Sequence, residues 1–292
     1  MEIIVAENSG LCYGVKRALR IAKETRKMKK GKVFTLGDLI HNPQVVSELK
    51  SQGIEPTEKL EDIKEATIII RSHGVSPEKY QMLTDKKVEI IDATCPIVKK
   101  IQKLVERLAK GKEEIILVGD RKHPEIKGLI GYSQKKAIIV ENEDQVRDLP
   151  YKKKRAVLAE STQDLSLFKK IVAALIEKTK ELKVYNTICL STQTRQKSTS
   201  ELASRVDTLF IVGGKNSSNT NKLFHISKSI LTNTHFVESA KEIKPEMLEK
   251  AKKIGISGGA STPPEAIEEI VLKIKDSSER QIHRENIIQC QS

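Results

Sequence analysis

Short β-branched runs alternate with amphipathic stretches along this chain, and three of the runs lead into a cysteine placed just ahead of a helix-like segment. The lead-in runs are residues 3–6 before Cys12, 88–94 before Cys95 and 184–188 before Cys189. Each is short enough to be a buried strand. Strands alternating with amphipathic helices from end to end imply an α/β fold built on mainly parallel sheets. In open sheets of this kind ligands gather beyond the carboxyl ends of the strands, so three thiols delivered there by three similar units could meet on one ligand. A metal centre is the natural ligand for three thiolates.

One cysteine per third divides the 292 residues into units of about 95 residues, within the usual domain range. The expected units are 14–95, 96–188 and 189–292. The segment 1–13 carries a strand with no helix before it and is expected to complete the third sheet. The patterning predicts helices at 14–28, 96–109, 165–180, 194–204 and 218–231, the second opened by Pro96 in its first turn. Strands are predicted at 32–36, 67–71, 88–91, 115–118, 137–140, 156–159, 184–188 and 208–212, followed by a last strand and helix around 254–274. The polar tail, 276–292, is expected to be poorly ordered. With no Trp and 3% aromatic residues, the interior has to be aliphatic.

Several classes fall away on composition. No basic segment precedes a long apolar stretch near Met1, so no signal peptide is expected, and no run approaches a membrane span. Four cysteines without a close pair are unlike a secreted disulfide framework and fit a reducing cytoplasm, where thiols stay available as ligands. Lys and Arg number 52 against 39 Asp and Glu, a net charge of +13, which favours an anionic partner. The Lys-rich pieces 27–32, 135–136 and 152–155 are expected at solvated turns between elements. A phosphate-tracking basic stripe interleaved with aromatics is missing, so nucleic acid is not the expected partner.

A lone cysteine is most often a small buried apolar residue. The same placement three times, at a turn where a helix N-terminus stabilises thiolate, points instead to ligation. Structural zinc wants four ligands, commonly in close pairs. Three thiolates suit an iron–sulfur cluster with one iron left open to substrate. Cys290 is expected to have no role.

Three loops offer a histidine at a strand end or helix start: Ile40-His41-Asn42-Pro43, Arg71-Ser72-His73-Gly74 and Lys122-His123-Pro124-Glu125. A single such histidine is ordinary, but three in equivalent places suggest phosphate or carboxylate binding. Two Gly-rich loops, residues 212–219 and 256–263, follow strands and open helices; their glycines let backbone approach an anion, and Ser217, Ser218, Asn219 and Ser261 add neutral donors. Neither is a Walker loop, which disfavours ATP and GTP. Together with the histidines they suggest a diphosphate pocket. Glu125 follows His123 by two positions and is a candidate proton donor, although a carboxylate in a first helical turn is also favoured on electrostatic grounds alone.

These residues resemble the 4-hydroxy-3-methylbut-2-enyl diphosphate reductases over essentially the whole chain. The motifs that carry the likeness are Gly10-Leu11-Cys12-Tyr13-Gly14-Val15, Ile40-His41-Asn42-Pro43, Ser72-His73-Gly74, Asp92-Ala93-Thr94-Cys95-Pro96, His123-Pro124-Glu125, Thr187-Ile188-Cys189, Gly214 through Asn219, and Gly259-Ala260-Ser261. The resemblance implies three similar α/β units in a pseudo-threefold trefoil around a central [4Fe-4S] cluster held by Cys12, Cys95 and Cys189. It implies that the iron without a protein ligand takes the substrate hydroxyl, that His41, His73, His123, Ser217, Asn219 and Ser261 hold the diphosphate with Ser218 beside them, and that Glu125 supplies a proton. Two electrons from reduced ferredoxin or flavodoxin, with two protons, would then give isopentenyl and dimethylallyl diphosphate. Where the family usually reads Gln-Thr-Thr near the substrate, this chain has Glu160-Ser161-Thr162; Ser161 keeps a hydroxyl, so Ser161 and Thr162 remain expected substrate-binding residues, and Glu160 adds a charge. Two other classes remain open on residues alone: a basic nucleic-acid-binding protein with a structural metal, and a zinc hydrolase of phosphate esters.

Overall fold

The strands of this computed structural model lie in three parallel sheets of four. It describes residues 1–59, 65–86, 88–249 and 251–290, with side chains described as far as residue 277. The chain opens with β1 (Glu2–Val5), α1 (Tyr13–Met28), β2 (Val33–Leu36), α2 (Pro43–Ser51), β3 (Ile54–Thr57), β4 (Thr67–Ile70), α3 (Pro77–Asp85) and β5 (Glu89–Asp92). It continues through α4 (Pro96–Ala109), β6 (Glu114–Val118), α5 (Pro124–Tyr132), β7 (Ile138–Val140), α6 (Asp144–Arg147), β8 (Lys152–Ala159), α7 (Leu165–Glu177) and β9 (Thr179–Tyr185). It closes with α8 (Leu190–Ala203), β10 (Thr208–Val212), α9 (Ser218–Ile230), β11 (Thr234–Val237), β12 (Lys253–Gly258) and α10 (Pro264–Cys290).

One wiring plan recurs. The sheet orders are β3-β2-β4-β5, β7-β6-β8-β9 and, read in the same sense, β11-β10-β12-β1. Each starts on an inner strand, steps out to one edge, returns to the other inner strand and finishes on the far edge. In the third sheet that last place is taken by the N-terminal strand, as expected: β1 pairs with β12 from Glu2 opposite Lys253 to Val5 opposite Ile256. The first two sheets lie in a compact unit of residues 13–193, and the third lies in a unit formed by residues 1–12 and 194–292.

Parallel sheets bury both faces, and inner strands are therefore apolar wherever both faces are covered. In β6 and β8, Ile115, Leu117, Ala156 and Leu158 pack on one side with α4 and α5, while Ile116, Val118, Val157 and Ala159 pack on the other with α7. That alternation is the two-residue period of a strand. In the third sheet Phe210, Val212, Ile254 and Ile256 face α10, and Leu209 and Ile211 face Leu202 and Leu223. The core is almost wholly aliphatic, as the composition requires.

Four stretches depart from the patterning. Lys152 to Arg155, expected at a turn, is the first half of β8. Its lysines are exposed and ion-paired, Lys154 with Glu181 at 3.1 Å and Lys152 with Glu114 at 3.6 Å, so the charge run marks the solvated end of a strand. The helix expected to run to residue 180 stops at Glu177, and β9 begins five residues before the predicted strand. The reason is the Lys178 carbonyl, which accepts from the Arg155 guanidinium at 2.8 Å and from Lys152 N–H at 3.0 Å and so is unavailable to a further helical turn. Pro56 hides β3, which is an edge strand, where proline is tolerated. At the C-terminus, α10 extends to Cys290, past the point where order was expected to end.

Arg155 is fully buried and also reaches Glu114 at 2.7 Å and the Pro150 carbonyl at 2.6 Å. Removing one partner from such a network leaves buried polar groups unpaired, so Arg155→Ala should cost about 3–5 kcal/mol, measured by urea denaturation. A cost below about 1 kcal/mol, the level of an exposed pair, would contradict the structural role assigned here.

Candidate active site

Each sheet has a switch point where connections from its two inner strands leave in opposite directions, and there the loops part to leave a crevice. In the first sheet those strands are β2 and β4, followed by His41 and His73. In the second they are β6 and β8, followed by His123, with Glu125 in the first turn of α5, and by Ser161 and Thr162. In the third they are β10 and β12, followed by Ser217, Ser218, Asn219 and Ser261. The edge strands β5, β9 and β1 lead to Cys95, Cys189 and Cys12.

The three cysteines share one backbone bond. Cys95 N–H donates to the Ser72 carbonyl at 2.9 Å, Cys189 N–H to the Ser161 carbonyl at 2.9 Å, and Cys12 N–H to the Ala260 carbonyl at 3.0 Å. In every case the acceptor lies in the loop after the neighbouring inner strand. All three thiols are half-buried and outside any disulfide. A donor set of three soft thiols, each held the same way at the mouth of a parallel sheet, fits an iron–sulfur cluster.

Within the unit of residues 13–193, the histidines come together. Ring centroids are 4.6 Å apart for His41 and His73, 5.3 Å for His73 and His123, and 6.1 Å for His41 and His123. Ser72 fastens the first two loops, its hydroxyl donating to the Leu39 carbonyl at 3.1 Å. Gly74 has φ +72°, and a Cβ there would fall 2.4 Å from Gln102 Nε2, so the turn after His73 requires glycine. Burial, the His123 ring and the Arg71 charge lower the pKa of His41 to about 4; burial and the same neighbours push His73 well below its usual value. Three imidazoles at this spacing can serve a cation through lone pairs or an oxyanion through N–H groups.

Glu125 is 1% exposed and accepts from Ser161 N–H at 2.7 Å and from the Ser161 hydroxyl at 2.6 Å. Burial raises its pKa, and the Glu160 charge adds to that; His123 and the two Ser161 bonds oppose it. The result is a carboxyl inclined to keep its proton, the property a general acid needs. Two residues in this region were not singled out as functional from sequence. Arg71, mostly buried after β4, sets the charge felt by His41 and His73, and its only signal was a cation directly after an apolar run. Glu160 is fully buried with Oε2 3.1 Å from His123 Nδ1, an approach off-line for a straight hydrogen bond but at ion-pair distance. Thr162 Oγ1 donates to its other oxygen at 3.2 Å.

In the unit of residues 1–12 and 194–292, Ser217 caps α9 and accepts from Thr220 N–H at 3.4 Å, and Ser218 accepts from Lys222 Nζ at 3.1 Å. Asn219 is buried with neither side-chain polar atom hydrogen-bonded, a costly state that an anionic ligand would relieve.

Three parallel sheets, with thiols after their edge strands and polar loops at their switch points, define a parallel α/β protein of the oxidoreductase class. The family model described as LytB protein matches residues 3–275, and the chain belongs to that family. It is 43% identical to the 4-hydroxy-3-methylbut-2-enyl diphosphate reductase of Aquifex aeolicus (strain VF5), over 97% of this chain and 99% of the relative. To the protein of the same name from Caldanaerobacter subterraneus subsp. tengcongensis it is 45% identical, over 94% and 97%. Among solved structures, one titled as (E)-4-hydroxy-3-methyl-but-2-enyl diphosphate reductase, the terminal enzyme of the non-mevalonate pathway, matches with TM-score 0.69 and 43% identity, over 94% of this chain and 100% of that one. The reductase from Plasmodium falciparum matches with TM-score 0.89 and 28% identity, over 92% and 86%.

Burial and neighbouring charge hold the His41 and His73 imidazoles neutral, and a bound oxyanion favours their charged form, so anion binding should take up protons. Sulfate, whose charge is constant above pH 3, should raise the His41 titration midpoint from about 4 by roughly one unit or more, read from histidine ring proton shifts. An unmoved midpoint would rule out an anion on these rings.

Proposed function

We propose that the chain is a 4-hydroxy-3-methylbut-2-enyl diphosphate reductase that removes the allylic hydroxyl of its substrate to give isopentenyl and dimethylallyl diphosphate. The observation that carries this reading is the fully buried, proton-retaining Glu125 fixed to Ser161 in the same compact unit as the imidazole trio and two of the three thiols. The printed names of the relatives, at 43% and 45% identity over nearly the whole chain, supply the substrate.

Cys12, Cys95 and Cys189 are the residues that would hold a [4Fe-4S] cluster. Bound there, such a cluster supplies two electrons one at a time and an open coordination place for substrate. The remaining roles belong to side chains. His41, His73 and His123, with Ser217, Asn219 and Ser261 and with Ser218 beside them, take the diphosphate oxygens as hydrogen-bond donors. Ser161 and Thr162 orient the reacting end, and Glu125 delivers a proton to the departing hydroxyl, which leaves as water. The net reaction consumes two electrons and two protons.

Electrons come from a reduced ferredoxin or flavodoxin; both are acidic, and a surface with net charge +13 complements them. The chain has no described helix long and apolar enough to cross a membrane, and four cysteines without a close pair support a cytoplasmic setting.

Anaerobic purification followed by iron and acid-labile sulfide analysis should find both in a ratio near one. Zinc without sulfide would favour a hydrolase or a structural-metal protein instead. Replacing Cys12, Cys95 or Cys189 by Ser should abolish iron binding, while Cys290→Ser should retain it; a requirement for Cys290 would remove the open coordination place. Glu125→Gln should bind substrate yet lose about 10²–10⁴-fold in turnover, the usual contribution of a positioned acid. Near-normal turnover would take Glu125 out of the mechanism.

A further inference from the structure

Beside the proton donor sits a second buried carboxylate to which the reaction assigns no task. Glu160 and Glu125 are 0% and 1% exposed. They are tied together through two short links: Glu160 precedes Ser161, which bonds Glu125 through N–H and hydroxyl, and Glu160 Oε2 lies 3.1 Å from the Nδ1 of His123, two residues before Glu125. Gly119 makes room for it, since a Cβ there would fall 2.9 Å from Glu160 Oε2. We infer that Glu160 is a positioning residue that keeps the proton on Glu125, itself remaining the anion of a buried carboxylate pair. The inference rests on Glu125 as the proton donor and names what holds the proton there.

Two carboxylates sharing one dry site resist double ionisation, so a charge held on one raises the pKa of the other. Glu160 has the His123 ring at ion-pair distance and the Thr162 hydroxyl as donor. Glu125 has the two Ser161 bonds, and the 2.6 Å contact between its oxygen and the Ser161 hydroxyl is one that a carboxyl proton can occupy from either side. The charges that act on Glu125 are His123, which favours its ionisation, and Glu160, which opposes it; behind His123 lie His41 and His73, with Arg71 acting on both. Burial alone would favour a neutral Glu125, and the Glu160 charge works in the same direction.

The test is Glu160→Gln, a neutral isostere, in the holoenzyme. Loss of the negative charge lowers the pKa of Glu125, so the alkaline limb of the kcat profile should move to lower pH by about one unit, roughly tenfold in turnover at the alkaline end, with activity regained on acidification and KM little changed. Ser161→Ala removes a bond that favours the ionised form and should move the same limb the other way. Infrared titration reads the carboxyl without turnover: a protonated-carboxyl band that disappears in Glu125→Gln should titrate at lower pH in Glu160→Gln. Limbs that stay put, or that move the same way in both variants, would overturn the inference, as would an unshifted infrared titration. Should Glu125→Gln keep its turnover, the donor assignment fails, while the infrared titration still decides whether the two carboxyls share a proton as described.

Discussion

A single backbone hydrogen bond, made three times, organises this molecule. Each cysteine N–H donates to a carbonyl in the loop beyond the neighbouring inner strand, at 2.9 to 3.0 Å. For Cys95 the bond continues the pairing of β5 with β4 past the end of the sheet, while Cys12 and Cys189 make it from the loops that follow β1 and β9. It therefore fixes where a thiol stands relative to the loop that carries the polar residue of the same unit: His73 follows the acceptor Ser72, Ser161 is itself the acceptor, and Ser261 follows the acceptor Ala260. The position of each cysteine within its own unit is thus set by backbone, which is stiffer than any side-chain rotamer.

Around that frame the site concentrates charges that the fold would otherwise avoid. Glu125, Glu160 and His123 are almost wholly removed from water, and His73 and Arg71 are partly so. Ionised groups in such surroundings are costly unless paired, and the arrangement answers with short range: Ser161 on Glu125, His123 and Thr162 on Glu160. Protonation state then depends on the neighbours one group away.

Much of this was legible in the chain itself. Inner strands such as Thr67–Ile70 and Thr208–Val212 are continuous apolar runs because both faces are buried, and their boundaries follow from patterning. Edge strands and exposed strand ends were harder: the edge strand Ile54–Thr57 contains a proline, and the inner strand Lys152–Ala159 begins as four cations, since neither an edge nor an exposed end has reason to look apolar. The cysteines, histidines and Glu125 stood out because their residue types are chemically specific and sit at strand ends. Arg71 and Glu160 did not, because a charged residue next to a turn reads as solvated, and only the packing around it reveals a buried charge.

The wiring of the third sheet carries a consequence for biosynthesis. Strand β1 is made well before the partner it lies against, β12, which emerges only with residues 253–258. Until then β1 has an unsatisfied ladder, and the loop bearing Cys12 lacks the Ala260 carbonyl that anchors it. The units holding Cys95 and Cys189 complete their sheets from contiguous chain and can form while translation is under way. Folding is therefore ordered in time, with Cys12, made before Cys95 and Cys189, reaching its folded position after them.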